Sequence, residues 1–432
     1  MTKVTVIGAG LAGCEATWQL VNKGIAVDLI EMRPKVNTPA HQTADFAELV
    51  CSNSLRSNAL TNGVGLLKAE MRLFDSLIMK VADRHAIPSG SALAVDREGF
   101  AKAITTTIKN HPLVNFINQE VTSIPTGPVI IATGPLTSPA LSQAIAELVD
   151  AAFFYFYDAV APIVNKDSID FSIAYYKSRY DKGGDDYINL PMNKETFLKF
   201  YQELITAKTI KLHEFEKEIF FEGCMPIEEM AKRGIKTMLF GPLKPVGLAN
   251  DEHKPYAVVQ LRQDNAIADL YNMVGFQTHL TYGEQERVFQ MIPGLEHATF
   301  ARHGVMHRNT YLNAPKCLLS TYQYQKRQDL FFCGQLTGVE GYVESAASGL
   351  LAGVNMALYL KEQPLMILPD TTMIGAMANY ITHASSSNFQ PMNANFGIMR
   401  LLQDVNKNER KEAYGNQSLP ILTDYVARWK TI

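Results

Sequence analysis

The sequence predicts an α/β fold, a Rossmann-type nucleotide-binding domain interrupted by a smaller inserted α+β domain, and three observations carry that reading. A G-x-G-x-x-G turn lies between a β-branched strand and a helix at the start of the chain. Two later hydrophobic runs end in glycine turns. Between those runs the hydrophobic period changes to short, aromatic, strand-like pieces.

The first unit is Val4–Ile7 feeding Gly8, Gly10 and Gly13, with Ala9, Leu11 and Ala12 between them. Gly8 is expected to make the tight turn, Gly10 to let backbone approach a pyrophosphate, and Gly13 to let helix and strand pack closely. Helical spacing over Cys14–Val21 ends at Asn22-Lys23-Gly24, and a second strand over Ile25–Ile30 stops on Glu31. The helix N-terminus offers N–H donors to phosphates, and Glu31 stands where an acidic group takes ribose hydroxyls.

Bulk composition bounds the partners. The 432 residues are 47% hydrophobic and 19% charged, an ordinary globular composition. The formal charge of -3 excludes a global basic field, so any polyanion must meet a local patch. The cysteines, Cys14, Cys51, Cys224, Cys317 and Cys333, are odd in number and form no C-x-x-C pair. That argues against a disulfide framework and against a metal site, and suits a reducing compartment. No secretion signal precedes the first strand, and the most apolar run, Ala151–Tyr157, is too short for a bilayer. A cytoplasmic protein without a membrane partner is expected.

Past Glu31 the chain runs through a polar loop to Asp45, then Glu48–Asn58, rich in hydroxyls and amides, reads as a structured binding loop carrying Cys51. Apolar periodicity predicts one long helix over Gly65–Arg84 and another from Asp96 to Ile108. Val114–Ile117 and Val121–Ile124 alternate like strands, and Pro128–Ile131 is a buried strand running into Ala132-Thr133-Gly134. The insert is placed at 141–316, with strand-like pieces at Phe153–Val164, Ser172–Tyr176, Tyr187–Leu190, Glu218–Phe221 and Ala257–Leu261. Within it Asn193 caps a helix over Lys194–Ala207. The first domain, 1–140, resumes over 317–432, where Asp329–Cys333 leads into Gly334-Gln335. A glycine-bearing loop reaching Gly341 and Tyr342 then opens a small-residue helix over Val343–Gly353, small enough for backbone to approach a flat cofactor.

The run ending in Ala132-Thr133-Gly134 resembles the second signature of flavoproteins with two dinucleotide-binding domains. The run ending in Gly334-Gln335 resembles the third, with Gln335 where an Asp usually stands. Three signatures in order favour FAD over NAD as the tightly held dinucleotide.

Reactive candidates come next. Cys224 precedes a helix expected to start at Pro226 and stop at Gly234, where the dipole lowers a thiol pKa while Glu228 and Glu229 oppose it. The residues alone slightly favour a buried structural cysteine. Lys232, Arg233 and Lys236 form the nearest basic cluster for a phosphate backbone. Cys14, Cys317 and Cys333 lie in apolar contexts and read as structural. His303, His307 and Arg308 could set an imidazole or guanidinium against a flat ligand, or could belong to a surface loop. A third ligand for a metal is not suggested.

Taken together, Gly8–Gly13 with Glu31-Met32-Arg33-Pro34, Val50-Cys51-Ser52-Asn53-Ser54, Phe221–Glu228 and Gly338–Ser345 resemble the folate- and FAD-dependent tRNA (uracil-5-)-methyltransferase family over essentially the whole chain. Gln335 is what this family and its relative, the wobble-uridine-modifying flavoprotein MnmG, carry. The resemblance implies a methyl carbon taken from 5,10-methylenetetrahydrofolate, reducing equivalents from NAD(P)H through FAD, and delivery to C5 of a T-loop uridine of tRNA. It implies Cys224 as the nucleophile at uracil C6 and Cys51 beside the flavin or in acid–base work. RNA contacts fall to the insert. Competing readings are the same chemistry on a ribosomal RNA uridine, wobble-uridine modification, a flavin oxidoreductase acting on a small molecule or disulfide, and a non-catalytic RNA-binding flavoprotein.

Overall fold

The computed structural model describes residues 3–149, 154–181, 184–210, 220, 225–250, 254–403, 405–406 and 409–432. A six-stranded sheet organises the first core. Its order is Gln323–Tyr324, Arg327–Phe332, Val129–Ile131, Val4–Ile7, Val27–Glu31, Val114–Asn118, and all neighbours are parallel except the first pair. Val4, Val6, Val129–Ile131 and Leu330–Phe332 are fully buried, as apolar runs in a sheet covered on both faces must be.

Helix Leu11–Val21 packs on helix Tyr342–Leu360 with backbones nearly touching, because a Cβ on Gly349 would overlap the Ala12 carbonyl. Tyr342–Leu360 is long and apolar enough to cross a membrane, but 89% of its apolar window is buried inside the protein. It is a buried helix of the first core.

The second core draws on residues between Ala161 and Ala298. Its sheet is antiparallel, ordered Tyr175–Tyr176, Tyr187–Met192, Ala257–Gln263, Leu270–Met273, Ile163–Asn165, Phe300–Arg302. Helix Lys194–Thr206 starts as its sequence asks, with Asn193 Oδ1 accepting from the Thr196 N–H at 2.9 Å. An antiparallel ribbon of Phe154–Ala159 with Met306–Tyr311 carries the chain between the two cores, pairing Asp158 with His307.

Several expectations fail here: the piece at Phe153–Val164 is two strands, Phe154–Ala159 and Ile163–Asn165, and that at Ser172–Tyr176 is a strand only over Tyr175–Tyr176. The single helix over Gly65–Arg84 is two helices, Gly63–Leu73 and Leu77–Arg84. Asp75 turns left-handed at φ 62, and Ser76 caps the second helix by accepting from Met79 N–H at 3.2 Å. Buried Glu15 holds the break by accepting from Ser76 Oγ at 2.7 Å and Ile78 N–H at 3.0 Å. Val121–Ile124 is not a strand: the sheet edge ends at Asn118, and Val121 and Ile124 pack against the first core instead. Of Glu218–Phe221 only Phe220 is described, bridging to Tyr157; Phe153 lies outside the described residues.

The close helix crossing yields a test. Gly349→Val is expected to destabilise the protein by about 3 kcal/mol or more, because backbone has to move to admit the side chain. A denaturant melt of the variant should show an earlier midpoint; an unchanged midpoint would contradict the backbone contact.

Candidate active site

One cavity of about 390 Å³ opens at the carboxyl ends of the parallel strands, where α/β sheets bind ligands. Gly8, Gly10, Leu11 and Ala12 line it from the first turn, Glu31 from the second strand, and Gly334, Gln335, Gly341 and Tyr342 from the returning chain. Gly8 has φ +100, and a Cβ there would come within 2.6 Å of the Ala132 carbonyl oxygen. A Cβ on Gly13 would overlap the Gly8 carbonyl, whereas one on Gly10 would meet nothing within 4 Å. Gly10 thus faces open space and Gly13 faces the strand. The first intrahelical bond is Cys14 N–H to the Gly10 carbonyl at 2.9 Å, which leaves the earlier N–H groups for a ligand.

Glu31 accepts from the Ala9 N–H at 2.9 Å and from Arg33 N–H and Nε at 3.0 and 3.1 Å. Burial opposes its charge, but Arg33 and the two N–H groups outweigh that, and the carboxyl titrates below its usual range. Ala9 therefore shapes the turn through Glu31. The residues fit a dinucleotide: an open glycine and unused N–H groups for a pyrophosphate, an ionised carboxylate for ribose hydroxyls, and the Gln335–Tyr342 loop opposite.

Cys51 is half-buried on the same cavity. Its N–H and that of Ser52 both donate to the Tyr342 hydroxyl, at 2.6 and 3.2 Å, and its Sγ donates to the Ala159 carbonyl at 3.7 Å. From the insert, Arg262 Nε donates to Asn53 Oδ1 at 3.0 Å and Nη2 to Ser52 Oγ at 2.6 Å. Arg97 grips Asp264 through two bonds, of 3.0 and 2.8 Å, and also donates to the Leu49 carbonyl. Burial works against the Arg97 charge, and Asp264 more than restores it. Burial and the neighbouring Cys51 push the Tyr342 phenol up, which keeps its proton in place.

The facing wall comes from the ribbon. His307 Nε2 lies 3.9 Å from Asp158 Oδ2, and Asn309 Nδ2 donates to the same oxygen at 3.4 Å. Gln335 Nε2 donates to Glu340, whose carboxyl is pushed well up by burial first and by Asp158 second. Burial lowers the His307 imidazole, and desolvation and the nearby Arg33 charge lower half-buried His41 to about 4.

The sequence pattern of the glucose inhibited division protein A family matches residues 3–364. The methylenetetrahydrofolate--tRNA-(uracil-5-)-methyltransferase TrmFO of Listeria monocytogenes is 61% identical over 420 residues, covering 96% of this chain and 97% of its own. The protein of the same name from Enterococcus faecalis is 60% identical over 428 residues, covering 98% of each.

The chain belongs to this family. The solved structure of Aquifex aeolicus GidA superposes with a TM-score of 0.73 at 17% identity, covering 100% of this chain and 74% of that one, which shows the shared fold.

Within the family fold the remaining candidates separate. Of the histidines, His307 lines the cavity, whereas His303 bonds Glu286 at 3.0 Å and stacks on Tyr282 and Phe300. Both sit on or beside strands, not in a long loop. Arg308, between two inward residues, is exposed, and its guanidinium lies 4.2 Å from the centre of the Tyr155 ring. Helix Ile227–Lys232 starts one residue after Pro226, and Gly234 at φ +118 follows its end. Lys232 is exposed and pairs with Glu229 at 2.6 Å; Arg233 is exposed, and neither lines the cavity. Cys224 lies outside the described residues. Cys14, Cys317 and Cys333 are buried, and burial raises each thiol, Cys317 to about 12. The sequence reading missed Asp158, Asn309 and Arg262, which no local spacing marks.

The two glycines give a paired test. Gly10→Val is expected to leave the melting midpoint nearly unchanged and abolish bound FAD absorbance, since its side chain enters open cavity. Gly13→Val is expected to lower the midpoint by about 3 kcal/mol equivalent, since it meets backbone. Equal effects on both readouts would refute the geometry.

Proposed function

We infer that this chain is a flavoprotein that moves the one-carbon unit of 5,10-methylenetetrahydrofolate to C5 of a tRNA uridine, forming 5-methyluridine. The observation that carries this reading is the placement of Cys51 on the cavity that also holds the dinucleotide cradle, in a chain 61% identical to a relative bearing that activity in its name. FAD, when bound, supplies the redox chemistry, and NAD(P)H is the proposed source of its electrons. Gly8, Ala9, Gly10, Leu11, Ala12 and Gly13 form its pyrophosphate turn, Glu31 its ribose contact, and Gly334, Gln335, Gly341 and Tyr342 the opposite rim.

The thiols carry the covalent chemistry. A Cys224 thiolate adding to uracil C6 turns C5 into an enolate carbon, which attacks the one-carbon electrophile. Loss of the C5 proton with departure of the carrier nitrogen leaves a methylene on C5. Its two-electron reduction, the redox chemistry that bound FAD would supply, completes the methyl while the Cys224 thiolate leaves C6 and the ring's double bond is restored. Cys51 is held at the cavity by the Tyr342 hydroxyl, with Arg262 fixing its neighbours Ser52 and Asn53, and is assigned to proton transfer at C5 beside the flavin. Lys232, Arg233 and Arg308 lie on the exposed insert and are assigned to the RNA backbone. The T-loop uridine is the proposed target, and the cytoplasm the proposed compartment. The division into a nucleotide-binding domain over 1–140 and 317–432 and an insert over 141–316 is supported by the two cores. Leu141, Ile145, Tyr311 and Leu312, which belong to the first core, draw its joins inward.

Labelled methylenetetrahydrofolate with NAD(P)H should put label into a tRNA uridine. Label from S-adenosylmethionine instead, or label confined to ribosomal RNA, would overturn the assignment. Cys224→Ala should keep FAD and NAD(P)H oxidation while losing methylation about 10³-fold or more, together with any covalent adduct to 5-fluorouridine RNA. Cys51→Ala should lose methylation and alter the flavin spectrum. An adduct that survives Cys224→Ala but not Cys51→Ala would reverse the roles.

A further inference from the structure

Past strand Leu270–Met273 the insert sends one short segment to the cavity, and Gln277 is its contribution to the lining. Phe276 and Leu280 on either side are buried in the second core. Polar bonds clamp the backbone between them. The Gln277 carbonyl accepts from the Ile227 N–H at 2.7 Å, and Ile227 stands three residues past Cys224 in the sequence. Buried Glu228 accepts from the His279 N–H at 2.7 Å and from the Thr278 hydroxyl at 2.9 Å, and His279 Nδ1 lies 2.9 Å from the same carboxylate. Neither the dinucleotide cradle nor the thiol chemistry uses these groups.

The residue held so firmly keeps its own side chain uncommitted. Four carboxamides line the cavity, those of Gln277, Asn309, Gln335 and Asn393. Asn309 Nδ2 donates to Asp158, Gln335 Nε2 to the Glu340 carboxyl, and Asn393 Nδ2 to the Glu340 carbonyl at 2.7 Å. The Gln277 amide alone of the four has no hydrogen-bond partner among the described residues. It brings the cavity a free donor and a free acceptor on one planar group.

That pair of groups matches one reactant closely. The pairing edge of uracil is a ring N–H between two carbonyl oxygens. A carboxamide can accept from the N–H and donate to either neighbouring oxygen, two bonds in one plane. An arginine or lysine can only donate there, and a carboxylate can only accept. The edge is also free during the reaction, because N3 lies across the ring from C6, where the thiolate adds. A base taken out of its stack for chemistry is read on this edge.

We propose that Gln277 reads the target base, pairing with the ring N–H and one carbonyl of uracil. This rests on the uridine-methylating reading of the site and names the residue that recognises the uracil. Gln277 is a specificity residue, since it meets the base away from the reacting carbons.

The test uses the FAD-loaded enzyme and two tRNAs that differ only at the target position, uridine in one and 3-methyluridine in the other. Transfer of label from methylenetetrahydrofolate into the uridine tRNA tests the functional reading by itself. Given that transfer, wild-type enzyme should prefer the uridine tRNA by about tenfold or more in kcat/KM, the worth of a bidentate contact to a base edge. Gln277→Ala should lose about tenfold or more on the uridine tRNA and little on the other, so that the preference collapses, while bound FAD and the KM for folate stay unchanged. Wild-type enzyme that methylates both tRNAs equally well would overturn the proposal without any variant. So would a Gln277→Ala enzyme that keeps the wild-type preference, or one whose KM rises for folate and not for tRNA.

Discussion

Arg262 reaches from the central sheet of the insert into the Cys51 loop of the nucleotide-binding domain, and the shape of the cavity depends on that buried guanidinium. Its partners are Asn53, Ser52 and Asn272, all neutral oxygens. Burial lowers its pKa, and the cost of holding a charge there is met only while these acceptors stay in place. Asn53 in turn donates to the Val95 and Gln263 carbonyls, at 3.0 and 2.9 Å, so one side chain ties a strand of each domain. Removing one of these acceptors leaves a charged N–H buried without its partner, at a cost of about 1.5–3 kcal/mol. The loop carrying Cys51 is thus fixed by groups from both cores, with Tyr342 fixing its N–H groups from a third direction.

This arrangement explains why the insert exists as a sheet and not as a loop. A six-stranded antiparallel sheet on its own core can hold Arg262 and Asp264 at fixed positions, with Asp264 locking Arg97 at the start of helix Arg97–Lys109. The ribbon of Phe154–Ala159 and Met306–Tyr311 closes the other side. The cavity lies where the two cores meet, and its lining comes from loops and strand ends that each core positions.

What could be read from the chain follows the same physics. The Gly8–Gly13 turn, Glu31 and the Gln335–Tyr342 loop were legible because glycine spacing records local backbone demands, and those demands are met within a few residues. Asn193 announced its helix for the same reason. Asp158 and Asn309 were not legible, since they meet across 151 residues of sequence through strand pairing. Arg262 and Asn53 meet across 209. The break at Asp75 and Ser76 was hidden because apolar periodicity continues on both sides of it, and the cause is Glu15, far away in sequence. Val121 and Ile124 alternate as a strand would, but the sheet had already ended at Asn118.

The central claim is that one cavity, walled by both cores, holds the flavin against Cys51. Its most direct measurement is the rate at which a small alkylating reagent modifies Cys51, followed by peptide mass spectrometry, with FAD bound and after FAD is removed. Bound FAD is expected to slow alkylation of Cys51 about tenfold or more by covering the thiol, while buried Cys317 stays inert in both states. Equal rates at Cys51 with and without FAD would contradict it.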